Sequence, residues 1–193
     1  SLSSTSNLSS SFAIGLITSK QAINQVFSNS DGTGTGQFAW VNEIIWREFY
    51  KYITYHYPHV SKGKSFNPKY DLISWREDED SFIKWCEGKT GIPIIDAAMR
   101  QLNQTKWMHN RLRMITAMFL SKNLLIDWRK GERYFMENLI DGDFCSNNGG
   151  WQWSASTGVD ASPYFRIFNP ITQSEKFDPD GKFIKNFVPE LIE

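Results

Sequence analysis

Apolar side chains recur in several segments of this chain at the three- and four-residue spacing of an α-helix, and no segment alternates as a β-strand does. Such a chain must fold as helices packed on helices, because each apolar stripe has to be buried against a neighbour. We therefore predict an all-α fold. A short helix follows Thr18-Ser19, and longer ones are predicted at residues 38–57, 81–87, 92–102, 108–125 and 131–140.

Length and composition fit a globular protein. The chain has 193 residues, of which 40% are hydrophobic and 22% charged, enough for one domain or two small ones. No apolar run approaches the roughly 18 residues of a membrane span, so we expect no membrane insertion. Cys86 and Cys145 lie far apart. We therefore expect no disulfide framework, no zinc site and a reducing, cytoplasmic location.

Charge and aromatic content narrow the function classes. The 21 basic residues balance the 21 acidic ones, which excludes a protein that binds nucleic acid through overall charge but allows a local basic groove. The chain contains 8 Trp, 7 Tyr and 14 Phe. Eight tryptophans exceed what the core requires, so we expect some of them to serve in stacking or electron transfer.

The first eleven residues are rich in serine. They fit either a solvated linker or a hydroxyl-rich loop that binds phosphate. A second glycine-rich stretch, residues 31–36, contains a Gly-x-Gly. It follows no strand, so we interpret it as a loop rather than a dinucleotide-binding motif.

Two helical segments carry side chains suited to ligand binding. In the segment 38–57, helical spacing places Trp40, Glu43 and Arg47 on one face, with Trp46 three residues after Glu43. In the segment 108–125, the first turn contains arginines, although a helix N-terminus favours acids. These arginines therefore indicate a ligand or a buried acidic partner, or else an ordinary solvated surface.

Asp141 and Asp143 precede a polar, glycine-rich stretch that ends at Trp151-Gln152-Trp153. The spacing of these acids does not match a calcium-binding loop, so we expect no metal. The two carboxylates would instead accept hydrogen bonds from a ligand or pair with an arginine such as Arg113. A plain helix-terminating turn followed by an N-cap is the alternative. No hydrolase or kinase motif is present.

Five stretches together resemble the FAD-binding helical domain of the photolyase/cryptochrome family, most closely that of bacterial class I photolyases that repair cyclobutane pyrimidine dimers. They are residues 40–50, 88–102, 107–114, 141–143 and 147–153. The resemblance runs from about Thr5 to the C-terminus. It implies that residues 1–193 are one all-α, FAD- and lesion-binding domain, in which the loop of residues 1–11 contributes to the FAD phosphate site.

The resemblance implies a cofactor site and a lesion site. The implied FAD contacts are Thr5, Ser6, Leu8, Ser9, Trp40, Arg47, Trp107, Asn110, Arg113, Asp141, Asp143 and Asn147, with Asn147 beside the reactive flavin nitrogen. The implied contacts to the dimer and to DNA are Glu43, Trp46, Arg111, Met114, Trp153 and Arg166. Glu43 and Asn147 are expected to be catalytic. Trp75, Trp128 and Trp151 match the tryptophan chain that carries electrons from the surface to the flavin.

The expected activity is light-driven repair of damaged DNA by reduced FAD, as a deoxyribodipyrimidine photo-lyase. The alternatives are a cryptochrome-type photoreceptor without repair activity and a helical interaction domain without cofactor. Family members also have an N-terminal α/β domain that holds an antenna chromophore. We expect this chain to lack that domain, to be truncated at its C-terminus and to hold FAD weakly or not at all. We expect a monomer whose exposed apolar surface permits self-association.

Overall fold

A computed structural model describes residues 5–29 and 34–192, and all regular structure in these ranges is helical. The predicted all-α fold is therefore confirmed. Residues 1–4 of the serine-rich stretch and 31–33 of the glycine loop lie outside the described residues. The α-helices are α1 (Ser9–Ala13), α2 (Ser19–Asn29), α3 (Thr35–His56), α4 (Glu79–Glu87), α5 (Pro93–Thr105), α6 (Asn110–Met118), α7 (Trp128–Asn138), α8 (Phe144–Ser154), α9 (Pro170–Phe177) and α10 (Lys182–Phe187).

Single turns of other helix types connect these helices. They are 3₁₀ turns at Pro58–Lys62, Pro68–Leu72 and Pro189–Leu191, and a π turn at Phe119–Asn123. The predicted continuous helix over 108–125 is thus wrong in its second half. There, Leu124 donates its backbone N–H to the carbonyl of Phe119, five residues earlier, at 3.0 Å. The helix ends because Leu125 takes a positive φ of 58°, a conformation that an α-helix excludes.

The larger of two apolar clusters is centred on α5. Ala97, Ala98, Met99 and Leu102 of this helix are fully buried, and α4, α6 and α10 pack against it. Trp85 of α4 reaches into the same cluster, where its indole N–H donates to the carbonyl of Thr116 at 3.2 Å. Helices α7 and α8 complete the cluster, which anchors one side of the molecule.

The smaller cluster joins α1, α2 and α3. Its buried members are Phe12, Ala22 and Ile44. Burial of Phe12 explains why the serine-rich stretch does not stay a loop to residue 11, since the helix α1 begins at Ser9 and carries Phe12 inward. That part of the sequence prediction is wrong. Helix α2 begins after Thr18 as predicted, because the Thr18 hydroxyl accepts a hydrogen bond from the Gln21 N–H at 3.2 Å.

Helix α8 forms in the polar, glycine-rich stretch, for which the sequence left open whether the aspartates serve a ligand or precede a helix N-cap. Asp143 caps its N-terminus by accepting a hydrogen bond from the Ser146 N–H at 2.9 Å. Two consecutive glycines weaken this helix intrinsically, but Gly149 lets it lie directly against Tyr50 of α3, where a Cβ atom would overlap the phenol ring. Tertiary packing therefore stabilises α8.

Within the described residues, no helix has both the length and the apolar character needed to cross a bilayer. Cys86 and Cys145 are free thiols.

Candidate functional site

A cavity of about 580 Å³ lies between the two apolar clusters. Phe12 and Ile44 of the smaller cluster and Phe135 and Trp151 of the larger one all contribute to its lining. Most of the sequence-predicted site residues line this cavity as well: Ser6, Ser9, Trp40, Glu43, Trp46, Arg47, Asn110, Arg111, Arg113, Met114, Asp141, Asp143, Asn147, Trp151 and Trp153.

An ion pair between α6 and the turn before α8 forms part of the cavity wall. Arg113 Nη2 lies 2.9 and 2.7 Å from the two carboxylate oxygens of Asp141. The Arg113 Nε–H also donates to the backbone carbonyl of Met108 at 2.8 Å. The Asp141 side chain is only 2% exposed and that of Arg113 26%. The acidic partner expected for an arginine near this helix start is therefore Asp141.

A second guanidinium ties three helices together at the cavity. Arg47 of α3 lies 3.2 Å from the carboxylate of Asp143, which caps α8. The same Nη2 donates to the backbone carbonyl of Phe12 in α1 at 3.0 Å. The Arg47 Nη1 contacts Glu48 at 3.0 Å. Arg47 thus fixes α1 and the start of α8 relative to α3.

Asn147 projects from the second turn of α8 toward the cavity. Its amide nitrogen donates to the backbone carbonyl of Glu132 in α7 at 2.9 Å. Burial raises the pKa of the Glu132 carboxyl, although hydrogen bonds from Asn148 and Asn147 oppose the rise. The hydrogen bond to Glu132 holds the Asn147 carboxamide in one orientation.

The cavity opening is aromatic and basic. Trp46 is 39% exposed, and Trp153 is half-buried. The Arg111 guanidinium lies 5.0 Å from the ring centroid of Phe177. The Arg166 guanidinium lies 5.9 Å from that of Trp153. Neither guanidinium has an ion pair within the described part of the chain.

His109 sets the start of α6 and thereby the position of Arg111. Its ring Nδ1 accepts a hydrogen bond from the Arg111 backbone N–H at 3.1 Å. This contact requires an unprotonated Nδ1. Burial, followed by nearby positive charges that include Arg113, lowers the pKa of His109 and favours that form.

Several predicted site residues do not line the cavity. The Thr5 hydroxyl donates locally to Asn7 Oδ1 at 3.0 Å, and Leu8 packs against the smaller cluster. Trp107 lies beside His109, with ring centroids 6.4 Å apart. Arg166 is exposed and lies over the ring of Trp153, which lines the cavity. A flavin contact for Trp107 therefore finds no support in the cavity geometry.

The three tryptophans predicted to transfer electrons differ in depth. Trp151 is buried at the cavity wall, Trp128 is fully buried in the larger cluster, and Trp75 packs against that cluster while half-exposed. Behind the wall, Trp151 also meets Phe135 edge-on, with centroids 5.0 Å apart, and Trp85, with centroids 6.0 Å apart.

Two parts of the cavity lining were not predicted from the sequence: its apolar wall and the phenol of Tyr50. Tyr50 lies seven residues after Glu43, so helical spacing on α3 could have identified it. Burial, followed by the charge of Asp160, raises its pKa to about 12, so it stays a neutral phenol. The other missed residues carry no chemical signal in the sequence: Phe12, Ala13, Ile44, Ala117, Phe135, Leu139, Gly142, Gly150 and Ser154, together with Ser146.

Comparisons with known proteins identify the family of this chain. A family described as the FAD binding domain of DNA photolyase matches residues 40–193. The deoxyribodipyrimidine photo-lyase of Vibrio cholerae is 56% identical over 189 residues, covering 97% of this chain and 40% of the relative. The crystal structure of a bacterial class III photolyase from Agrobacterium tumefaciens superposes with a TM-score of 0.91 at 49% identity, over 97% of this chain and 39% of that chain.

A cryptochrome is also similar. The structure of a Synechocystis cryptochrome gives a TM-score of 0.88 at 35% identity, over 97% of this chain and 39% of that chain. The chain therefore spans about 40% of the length of the curated relatives it matches.

Proposed function

The chain belongs to the family of photolyase FAD-binding domains, and from this premise we propose that it binds FAD, though only weakly, and with FAD bound splits cyclobutane pyrimidine dimers in DNA with light. The observation that supports this most strongly is one cavity with two charge pairs in its wall and two tryptophans near its opening. The chain is 56% and 49% identical to two photolyases but 35% identical to the cryptochrome. This difference in sequence identity favours a role in repair over one in signalling.

The cavity residues fit FAD. A volume of about 580 Å³ falls within the roughly 300–1,000 Å³ usual for sites of this kind. Its lining combines apolar walls for a flat ring, carboxylates that can accept hydrogen bonds, and the hydroxyls of Ser6 and Ser9 near a candidate phosphate position. When bound, FAD supplies the photoexcited electron that opens the dimer and receives that electron back afterwards.

The charge pairs orient the cofactor. Asp141 and Asp143 offer carboxylate oxygens to ligand N–H and O–H groups, while Arg47 and Arg113 keep these carboxylates in place and offset their charge. Asn147, held by Glu132, presents its carboxamide to the edge of the ring. We propose that these five residues fix the ring at the base of the cavity.

The opening receives the flipped-out dimer. Trp46 and Trp153 offer indole faces for stacking, which is worth about 1–3 kcal/mol per base. Glu43 is exposed, and its carboxylate can accept hydrogen bonds from base N–H groups. Met114 offers an adaptable apolar contact. Unstacking costs less at a dimer than at intact DNA, which favours the lesion.

Arg111 and Arg166 are the proposed phosphate contacts. Both guanidiniums lie over aromatic rings near the cavity opening. The ring contacts hold each guanidinium in place, and no carboxylate of the described residues neutralises its positive charge. Contacts to phosphate position the duplex and carry no sequence preference. This arrangement suits a protein with zero net charge that must bind damaged DNA of any sequence.

Trp151, Trp128 and Trp75 are proposed to pass electrons from the surface to the cavity. Trp151 lines the cavity, Trp128 is fully buried in the larger cluster, and Trp75 is half-exposed at the edge of that cluster. Indole is the side chain in this cluster that is oxidised most readily, so a tryptophan series is the natural route. Replacing Trp128 with Phe should abolish photoreduction of oxidised FAD and leave dimer repair by chemically reduced FAD intact.

The repair proposal is tested with the FAD-saturated, chemically reduced protein and an oligonucleotide that contains one thymine dimer. Illumination should remove the dimer, measured by chromatography, whereas a dark sample should retain it. W153A should weaken binding to the dimer about 10- to 100-fold, from the stacking energy of its indole. Y55A, at an 81% exposed tyrosine of α3, should change nothing. Illuminated protein that binds FAD and leaves the dimer intact would support the cryptochrome alternative.

We further propose a monomer in the reducing cytoplasm, with dimer-containing DNA as its partner. The two free thiols support a reducing environment. Gel filtration over a range of concentrations tests the monomer, and a concentration-dependent shift to twice the mass would contradict it.

A further inference from the structure

Lys122 has an unusual set of contacts close to the cavity opening. It lies in the π turn that follows α6, and its side chain is partly buried. Its ammonium donates to the hydroxyl of Ser162 at 3.2 Å and to the backbone carbonyls of Pro163 at 3.2 Å and Arg166 at 2.9 Å. An ammonium has three N–H donors, so all three are used on one short segment, residues 162–166.

That segment presents Arg166 beside Trp153. The Ser162 hydroxyl donates to the backbone carbonyl of Trp153 at 3.0 Å. The Arg166 N–H donates to the carbonyl of Pro163 at 2.9 Å and closes a turn. The Arg166 guanidinium then lies 5.7 Å from the ring of Phe168 and 5.9 Å from that of Trp153. Lys122 therefore binds two carbonyls of the turn whose conformation aims Arg166.

The π turn places Lys122 within reach of this segment. The backbone N–H of Phe168 donates to Sδ of Met118, one residue before the π turn, at 3.1 Å. This contact and the Lys122 hydrogen bonds join the end of α6 to both ends of the segment. Single π turns often occur at functional positions because they redirect side chains that an α-helix would place elsewhere.

The pKa of Lys122 should rise when an anion binds nearby. Burial, followed by the nearby charge of Arg166, lowers the pKa of Lys122 to about 8. From the other side, α7 meets the π turn at Gly131, which lies against Leu120. Among the described residues, Arg166 is the charged group whose proximity lowers the pKa of Lys122. An anion on Arg166 would offset the repulsion between the two cations.

We propose that Lys122 is a positioning residue for DNA binding: its protonated ammonium holds residues 162–166 in the conformation that directs Arg166 to a phosphate, and DNA binding draws a proton from solvent onto Lys122. This inference rests on the proposed function, in which Arg166 contacts DNA. It makes affinity for DNA dependent on pH in the mildly alkaline range.

The direction in which pH changes the affinity for DNA follows from the linkage between proton binding and DNA binding. DNA binds the protonated form, so the pKa of Lys122 is higher in the complex than in the free protein, and affinity falls as pH rises through about 8. A shift of one unit on binding weakens affinity roughly five- to tenfold between pH 7.5 and 9.5. Neutral Lys122 would have one N–H donor fewer and no charge, so it would hold the hydroxyl and the two carbonyls more weakly and leave the turn less ordered.

Binding of a dimer-containing oligonucleotide is measured from pH 6.5 to 9.5 at constant ionic strength, for the FAD-loaded protein and three variants. The wild type should lose affinity roughly five- to tenfold between pH 7.5 and 9.5. K122R, which stays charged, should bind with little pH dependence. K122M should bind weakly at every pH. K182R, at an exposed lysine paired with Asp180, should follow the wild type. Circular dichroism verifies that each variant is folded.

Calorimetry gives a second readout that does not depend on the fit of an arginine at position 122. Titrations at pH 8 in two buffers of different ionisation enthalpy should show uptake of roughly half a proton by the wild type on DNA binding and less by K122M. Binding with equal proton uptake and parallel pH profiles in wild type, K122R and K122M would overturn the inference. No preference for dimer-containing DNA at pH 7 would instead overturn the proposed function.

Discussion

The carboxylate of Asp141 is buried in the cavity wall, where only 2% of the side chain is exposed. A buried carboxylate is stable only with partners, and Arg113 supplies them through one guanidinium nitrogen bound to both oxygens. The sequence offered this pair as one of several uses of the acid, beside binding a ligand or ending a helix.

We expect D141N to lower the free energy of unfolding by about 2 kcal/mol, because the partly buried Arg113 loses its countercharge. Asparagine has nearly the same shape as aspartate, so the substitution leaves no cavity that would lower stability further. Urea denaturation of the cofactor-free protein measures the change. D180N, which breaks the exposed pair with Lys182, should cost less than about 0.5 kcal/mol. Equal costs for the two variants would show that burial of Asp141 is energetically unimportant.

Cys86 is a second residue whose surroundings determine its chemistry. Burial, followed by the charge of Glu79, raises the pKa of its thiol to about 12. The reactive thiolate is then scarcer by about three orders of magnitude than in an unfolded chain. In a C145S variant at pH 8, Cys86 should react with a thiol reagent at least about tenfold more slowly when folded than in urea, because the higher nucleophilicity of a high-pKa thiolate offsets only part of its scarcity. Comparable rates in the two conditions would contradict the effect of partial burial on Cys86.

At the scale of elements, the sequence predicted which segments are helical better than where each one ends. Helices α2, α3, α5 and α7 follow from apolar spacing, with a side-chain cap from Thr18 for α2 and from Asp127 for α7. The helix α8 was not evident because Gly149 and Gly150 oppose helix formation. It forms through contacts that are distant in sequence, including that between Gly149 and Tyr50, and no local pattern encodes them.

The two glycines of α8 make a matched test of this explanation. G149A should destabilise the protein by about 1–3 kcal/mol, because the added methyl overlaps the Tyr50 ring. G150A meets no atom within 4 Å and should be neutral or stabilising by up to about 1 kcal/mol, since alanine favours a helix. Denaturation midpoints of the cofactor-free variants measure both changes. The reverse ranking would refute close packing of α3 on α8.

At the scale of the whole molecule, the cavity exists because two apolar clusters meet without merging. The polar residues of the site could be predicted from their chemistry and from the family resemblance. The apolar lining could not, because Phe12, Ala117 and Leu139 look like any core residues in the sequence. Their position at the cavity depends on how the helices pair, which single-helix periodicity does not determine.

The two clusters should differ in stability. F12A removes the main side chain of the smaller cluster and should cost about 3 kcal/mol locally. We expect amides of α1 and α2 to lose protection in hydrogen exchange while those of α5 stay protected. L102A, at a fully buried residue of the larger cluster, should instead lower protection throughout the described helices. Loss of α5 protection in F12A would show that the clusters unfold as one unit.

The contact of Trp151 with Trp85 behind the cavity wall also has an optical consequence. Indoles whose centroids lie 6.0 Å apart exchange excitation readily, so light absorbed by the deeply buried Trp85 reaches the ring that lines the cavity. A yellow ligand next to Trp151 would accept that excitation and quench the ultraviolet emission of both indoles. The protein thus carries a built-in optical reporter of whether its cavity is filled.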